Sequence, residues 1–151
     1  MIRMSTYGIV ENNFIVNMVL WNGKGDIFAD VNIIDTKGFP EAKIGDAVLE
    51  GVVYYQPSSQ FEHEFNIEKK VWELTESGET AKNAWLVSEN KSQRDILVRN
   101  AKETISLWQT ELSLGSISDE NKATLQSWID YINALNALEV DSTDVTWPTS
   151  P

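Results

Sequence analysis

Along the first third of the chain, apolar positions come in short runs separated by residues that turn a backbone. Residues 7–10, 14–21, 31–34 and 52–55 are rich in β-branched and aromatic side chains, and a further short run at 47–49 precedes the last of them. Each suits a strand. Between them, Glu11-Asn12-Asn13 supplies left-handed positions for a tight hairpin, Asn22-Gly23 is a strong turn dipeptide, and Glu50-Gly51 separates 47–49 from 52–55. The order implies a meander of antiparallel hairpins. The run 14–21 is apolar on both faces, with Phe14, Val16, Met18 and Leu20 against Ile15, Val19 and Trp21, which suggests a strand covered on both sides.

The pattern then weakens. Pro57-Ser58-Ser59 reads as a linker; Val71-Trp72-Glu73-Leu74-Thr75 alternates like a single strand, and Ser77-Gly78 interrupts it. From about Ser88 the period changes to that of a helix. Leu97, Ala101, Ile105, Trp108 and Leu112 recur at steps of four, four, three and four, which puts them on one helical stripe. Gly115 is a stop. Ser118 can cap a second helix that opens with Asp119 and Glu120, favourable near the positive end of the helix dipole. Its stripe is Leu125, Trp128, Ile129, Ile132, Leu135 and Leu138. Two such helices joined by a few residues form an antiparallel αα-hairpin, of the kind that pairs as a coiled coil, each helix about 30 Å or more long. Residues 140–151 have no period, and Trp147-Pro148 marks them as an extended tail.

The fold class expected is therefore α+β: a small antiparallel N-terminal β-module over residues 1–58, a connector with one further strand at 59–87, and at 88–151 a C-terminal antiparallel αα-hairpin with an extended tail. Two amphipathic helices beside so small a β-module leave apolar surface to be buried, and a homo-oligomer formed through the helices follows as an expectation.

Charge narrows the partners. The 151 residues carry 23 carboxylates against 12 cations, a formal net charge of −11. That sign opposes the basic footprint of phosphate contacts, so nucleic acid and anionic membrane are poor partners. From Glu103 onward there are eight carboxylates against a single cation, Lys122; such an acidic face can steer a basic protein surface. There is no cysteine, which excludes disulfides and thiolate chemistry and fits a reducing compartment. No stretch of about eighteen apolar residues could span a membrane, and Met1-Ile2-Arg3-Met4-Ser5 lacks the apolar run of a secretory signal; a cytoplasmic protein is expected.

Reactive constellations are scarce. His63, the single histidine, sits between Glu62 and Glu64 on a segment read as linker, and HExxH spacing is absent. The eight glycines form neither a P-loop nor a GxGxxG pattern. With 23 acids, any carboxylate pair suited to glycoside hydrolysis arises easily by chance. No catalytic residue, metal or cofactor is assigned. Six tryptophans in so short a chain point instead to surfaces where large amphipathic side chains meet. Trp108, Trp128 and Tyr131 belong to or flank the helical stripes. Trp147 lies outside any periodic segment, where docking onto its own domain and anchoring a partner are both open.

Several of these residues recur in a familiar order. The stretch from Ile105-Ser106-Leu107-Trp108 through Leu112, then Leu114-Gly115-Ser116-Ile117-Ser118-Asp119-Glu120, then Leu125 with Trp128-Ile129-Asp130-Tyr131, then Val140-Asp141 and finally Trp147-Pro148-Thr149-Ser150-Pro151, resembles the C-terminal domain of phage and prophage tail fibre assembly proteins. Tyr7-Gly8-Ile9-Val10 with Asn17, Trp21-Asn22-Gly23, Ile44-Gly45-Asp46 and residues 51–57 resemble, more loosely, the small β-module that opens many such proteins. The segment 141–146 departs from the family by being shorter and lacking an Ala-Pro-Asp stretch. The resemblance implies a non-enzymatic assembly chaperone in the host bacterial cytoplasm. It would bind the distal C-terminal region of a tail fibre protein and promote its folding and trimerisation; Trp128, Tyr131, Trp147 and Pro148 are the candidate partner-binding residues, with Trp128 and Tyr131 read from the helical patterning as core before interface. A retained cap or adhesin at the fibre tip is the alternative, and a small polysaccharide hydrolase the second alternative.

Overall fold

The computed structural model describes residues 4–151. The chain divides into two compact units, Met1–Glu79 and Thr80–Pro151, and each is described by itself.

In the first unit, β1 (Ser5–Glu11), β2 (Phe14–Trp21), β3 (Ile33–Asp35), β4 (Ala47–Leu49) and β5 (Val52–Tyr54) form one antiparallel sheet in the order β3-β1-β2-β4-β5. A separate hairpin pairs β6 (His63–Asn66) with β7 (Val71–Leu74). The turns are where the sequence puts them. Asn12 and Asn13 both take positive φ, 50° and 68°, as do Glu50 and Gly51, 51° and 78°; two consecutive left-handed residues match the twist of a hairpin's strands.

One irregularity governs this sheet. Val10 faces Ile15 and Ile9 faces Asn17, so Val16 is an extra residue in β2. A bulge of this kind resets the alternation of side chains. Ile15 and Met18 consequently share a face with Val10, Ile34, Val48 and Val53, forming an aliphatic core that Phe39 and Ala42 close. Gly8 lies under this layer, where a Cβ would come within 3.2 Å of Ile15 and Ile34. The opposite face is aromatic. Trp72 of β7 meets Phe14 (6.1 Å between centroids) and Phe65 (5.5 Å), Phe65 meets Tyr54 (5.1 Å), and the Trp72 indole donates to the Tyr54 carbonyl at 3.0 Å. The double cover expected for residues 14–21 is therefore partial. Ile15 is 1% exposed, but Val16 and Leu20 are 42% and 68% exposed, because the bulge takes Val16 out of register and β4 pairs with β2 only at Phe14.

Asp46 ties the sheet's loops together. It is fully buried, and its carboxylate accepts from the amides of Lys43 (2.8 Å) and Gln56 (2.7 Å), while its carbonyl accepts from the Ile15 amide (2.9 Å). Charge-assisted bonds to two amides compensate the desolvation of a buried carboxylate.

The segment 59–87 differs most from its sequence reading. It holds both β6 and β7 rather than one strand, and a long helix, α1 (Glu76–Ser113), begins within it rather than near Ser88. Thr75 caps this helix, its hydroxyl accepting from the Gly78 amide at 2.9 Å and donating to the Glu62 carboxylate at 3.0 Å. Gly78, read as a break, is inside the helix because any Cβ there would collide with the Glu62 carbonyl oxygen. Glycine is poor in helices, yet here it permits the close approach. The boundary between units falls within α1, at Glu79–Thr80.

In the second unit α1 continues to Ser113 and α2 (Asp119–Asn136) returns antiparallel to it. Asn121 lies against the Glu111 carboxylate at one end, and at the other Asn90 and Lys91 meet Ser142 and Asp141. The reversal follows the expected signals: Gly115 adopts φ 69°, Ser116 donates to the Glu111 carbonyl and Gly115 to that of Leu112, a Schellman closure, and Ser118 caps α2 through the Asn121 amide. The core consists of Ala101, Ile105, Leu125, Tyr131, Ile132 and Leu135, with Leu97, Trp108, Trp128, Ile129 and Trp147 packed around it. Leu112, expected in the stripe, is 46% exposed.

Candidate interaction surface

The four aromatic and proline positions singled out above all fall in the second unit, at different depths. Tyr131 is 8% exposed and belongs to the core. Its ring meets that of Trp128 edge-on, with centroids 5.9 Å apart. Trp128, Trp147 and Pro148 are half-buried. Trp147 packs against the helical core, which assigns it at least the docking role.

The tail reaches that position through polar ties to α1. The Asn90 side-chain amide donates to the Ser142 carbonyl at 2.8 Å, the Lys91 ammonium pairs with the Asp141 carboxylate at 2.6 Å, and Val140 is buried. The hydrogen bond from Lys91, reinforced by its charge, holds the Asp141 carboxyl below the usual carboxylate range. Both partners are at the surface, so the pair orients the tail more than it stabilises the fold.

Two features of this unit were not legible from the stripe. A groove of about 650 Å³ runs along α1, lined by Val98, by the cations Arg94, Arg99 and Lys102, and by the carboxylates Asp95 and Glu103. Its charges are mixed, with Arg94 paired to Asp95 at 2.9 Å, whereas the segment after Glu103 is acidic apart from Lys122. Apolar side chains also lie outside the core: Ile96 and Leu107, the latter 64% exposed, are separated by eleven residues, about three helical turns, and share a line on α1. That line points away from the face carrying Ala101 and Ile105. The signal was present as a second, sparser apolar period beneath the main stripe.

His63 lies on strand β6, not on a linker, and its Nδ1 is 2.8 Å from the Phe61 carbonyl oxygen. Among the described residues, no group of three His, Cys, Asp or Glu side chains could hold a metal ion, and no helix is long and apolar enough to cross a membrane.

The described residues thus form an α+β chain with partly exposed aromatic and aliphatic side chains. Residues 31–151 match the family described as Caudovirales tail fibre assembly protein, lambda gpK, and the chain belongs to that family. Over 61 residues it is 33% identical to tail fiber assembly protein U' of Escherichia phage Mu, covering 40% of this chain and 34% of that protein. The protein of the same name from Escherichia phage P1 is 30% identical over 61 residues, with the same coverage of both chains, 40% and 34%. Uncharacterized protein YmfS of Escherichia coli strain K12 is 29% identical over 68 residues, covering 43% of this chain and 50% of that protein. The matches thus span half or less of each relative's length. No solved structure matches.

Proposed function

We propose that this protein is an assembly chaperone for a phage tail fibre, binding the distal C-terminal region of the fibre protein and promoting its folding and trimerisation without catalysing a reaction. The family match over residues 31–151 carries the reading, since it takes in all of the helical unit and the sheet unit from β3 onward. The surface supports it physically. A fibre subunit awaiting trimerisation exposes apolar segments and unpaired strand edges, and a partner that covers them suppresses off-pathway association. Trp128, Trp147 and Pro148 supply the aromatic part of the fibre contact, with Tyr131 as support. Ile96 and Leu107 supply the seam for a second copy of this chain. Assembly takes place in the host cytoplasm, and the protein either departs or stays as a cap on the fibre tip; its presence in purified particles distinguishes these.

The test is co-expression with the cognate fibre protein. Soluble trimeric fibre should rise in yield when this protein is present, and an unchanged trimer yield would overturn the proposal.

A further inference from the structure

The side of β2 facing away from β1 is open over most of its length. β4 pairs there only at Phe14, and the adjoining loop reaches only as far as Ile15, whose amide and carbonyl bond to Asp46 and Gly45. After the bulge at Val16, the residues whose backbone groups face this open side are Met18 and Leu20, since Asn17, Val19 and Trp21 are turned toward β1. The Met18 amide finds only the side-chain oxygen of Asn17, its own neighbour, at 2.8 Å. Among the described residues no strand pairs with residues 16–21 on this side.

Open edges are normally blunted by charge, proline or cover. Residues 16–21, Val-Asn-Met-Val-Leu-Trp, contain neither charge nor proline, and Leu20 is 68% exposed. On the aliphatic face a groove of about 340 Å³ is lined by Met18 of β2, by Ser5 and Thr6 of β1, and by Phe39, Pro40 and Ala42. Free backbone groups beside a groove whose wall is apolar at Met18, Phe39, Pro40 and Ala42 are what an added strand requires: the edge supplies hydrogen bonds and the groove takes a side chain.

We propose that the β2 edge, residues 16–21, accepts an extended strand of the client fibre chain, with an apolar side chain of that strand seated between Met18 and Phe39. This deepens the assembly reading and rests on it. A second copy of this chain is the less suitable occupant. The unit Met1–Glu79 carries thirteen carboxylates against six cations, so joining two such units edge to edge brings like charge together, whereas a neutral or basic strand meets no such penalty. In the complex, a carbonyl of the incoming strand replaces Asn17 as acceptor for the Met18 amide.

The test uses the full chain with its fibre protein, reading amide hydrogen exchange by NMR at Met18 and Leu20. Both amides should exchange readily in the free protein and slow by about a hundredfold or more in the complex, as for ladder amides in a stable sheet. Leu20→Lys, at an exposed position the fold does not need, should weaken fibre binding about tenfold or more while leaving the melting temperature unchanged. A complex that forms without slowing exchange at these two amides would overturn the strand proposal and leave the assembly reading standing. Slowing that appears in this protein alone and grows with its concentration would assign the edge to a second copy and overturn the proposal. Failure to form any complex would overturn the assembly reading itself.

Discussion

The two units bury similar kinds of side chain by different means. In the sheet unit, cohesion depends on contacts between residues far apart in sequence: the Trp72 indole on the Tyr54 carbonyl, Asp46 bonding to Gln56, and β3 paired to β1. In the helical unit, backbone hydrogen bonds are local, and one apolar stripe on each helix makes the core. The consequence lies in what each leaves unfinished. Between its ends a helix satisfies its own backbone, so the helices of the second unit leave side chains exposed along their length, among them Leu107 and Leu112. A strand does not, so the sheet unit also leaves backbone donors and acceptors along β2.

The contrast can be broken most severely at Leu135, which is fully buried at the centre of the helical core. Leu135→Ala should cost about 3 to 4 kcal/mol, through lost burial and an unfilled cavity. It should lower the unfolding midpoint of the second unit, as read by denaturation of the full chain. In the sheet unit the comparable weak point is polar. Asp46→Ala leaves the amides of Lys43 and Gln56 without their acceptor, with an expected loss of about 2 to 3 kcal/mol. Asp46→Asn, which keeps one acceptor oxygen, should lose less. Equal losses for the two variants would mean that the carboxylate is not organising the loops.

Trp147→Ala sharpens the assignment of the tail. Packing of this ring against the helical core predicts a stability loss of about 2 kcal/mol, less than for a fully enclosed tryptophan. A role at the fibre as well predicts weaker fibre binding beyond what the stability change explains. Measuring both on one variant separates the roles.

The smallest effect is electrostatic. Asp141, Glu50 and Glu73 all have lowered pKa values through hydrogen bonds, in turn, from Lys91, from Lys70, and from Lys69 with Asn66. A depressed carboxylate contributes stability that is present above its unfolded pKa and lost as pH falls through its folded one. Any advantage of the natural chain over Asp141→Asn should therefore be present at neutral pH and vanish as the solution is acidified below about pH 4. High salt should reduce it too, because the pair is exposed to solvent. Stability curves of the two chains against pH test this directly.

The readings that held from sequence rest on local physics. Asn12-Asn13 and Glu50-Gly51 make turns because their backbones accept positive φ. Ser118 and Gly115 end helices because a hydroxyl and a missing Cβ solve terminal hydrogen bonding. The stripe from Leu125 to Leu135 is core because its period is that of a helix. Of the site, Trp147 was legible as an aromatic outside any period, and the order of the C-terminal motifs indicated the family.

What only the tertiary structure decided are outcomes that depend on a distant neighbour. Gly78 carries no local sign that Glu62 approaches it, so with Ser77 it read as an interruption of the strand-like run before it and not as part of a helix. Residues 61–87 were opaque because Trp72 gains its meaning from Phe14, nearly sixty positions earlier. The bulge at Val16 is set by pairing with β1, not by the composition of β2, and it alone determines which side chains enter the aliphatic core and which backbone groups face outward. Sequence fixes local preference through sterics and periodicity; the register of paired strands, and therefore the open edge, arises only when separate segments meet.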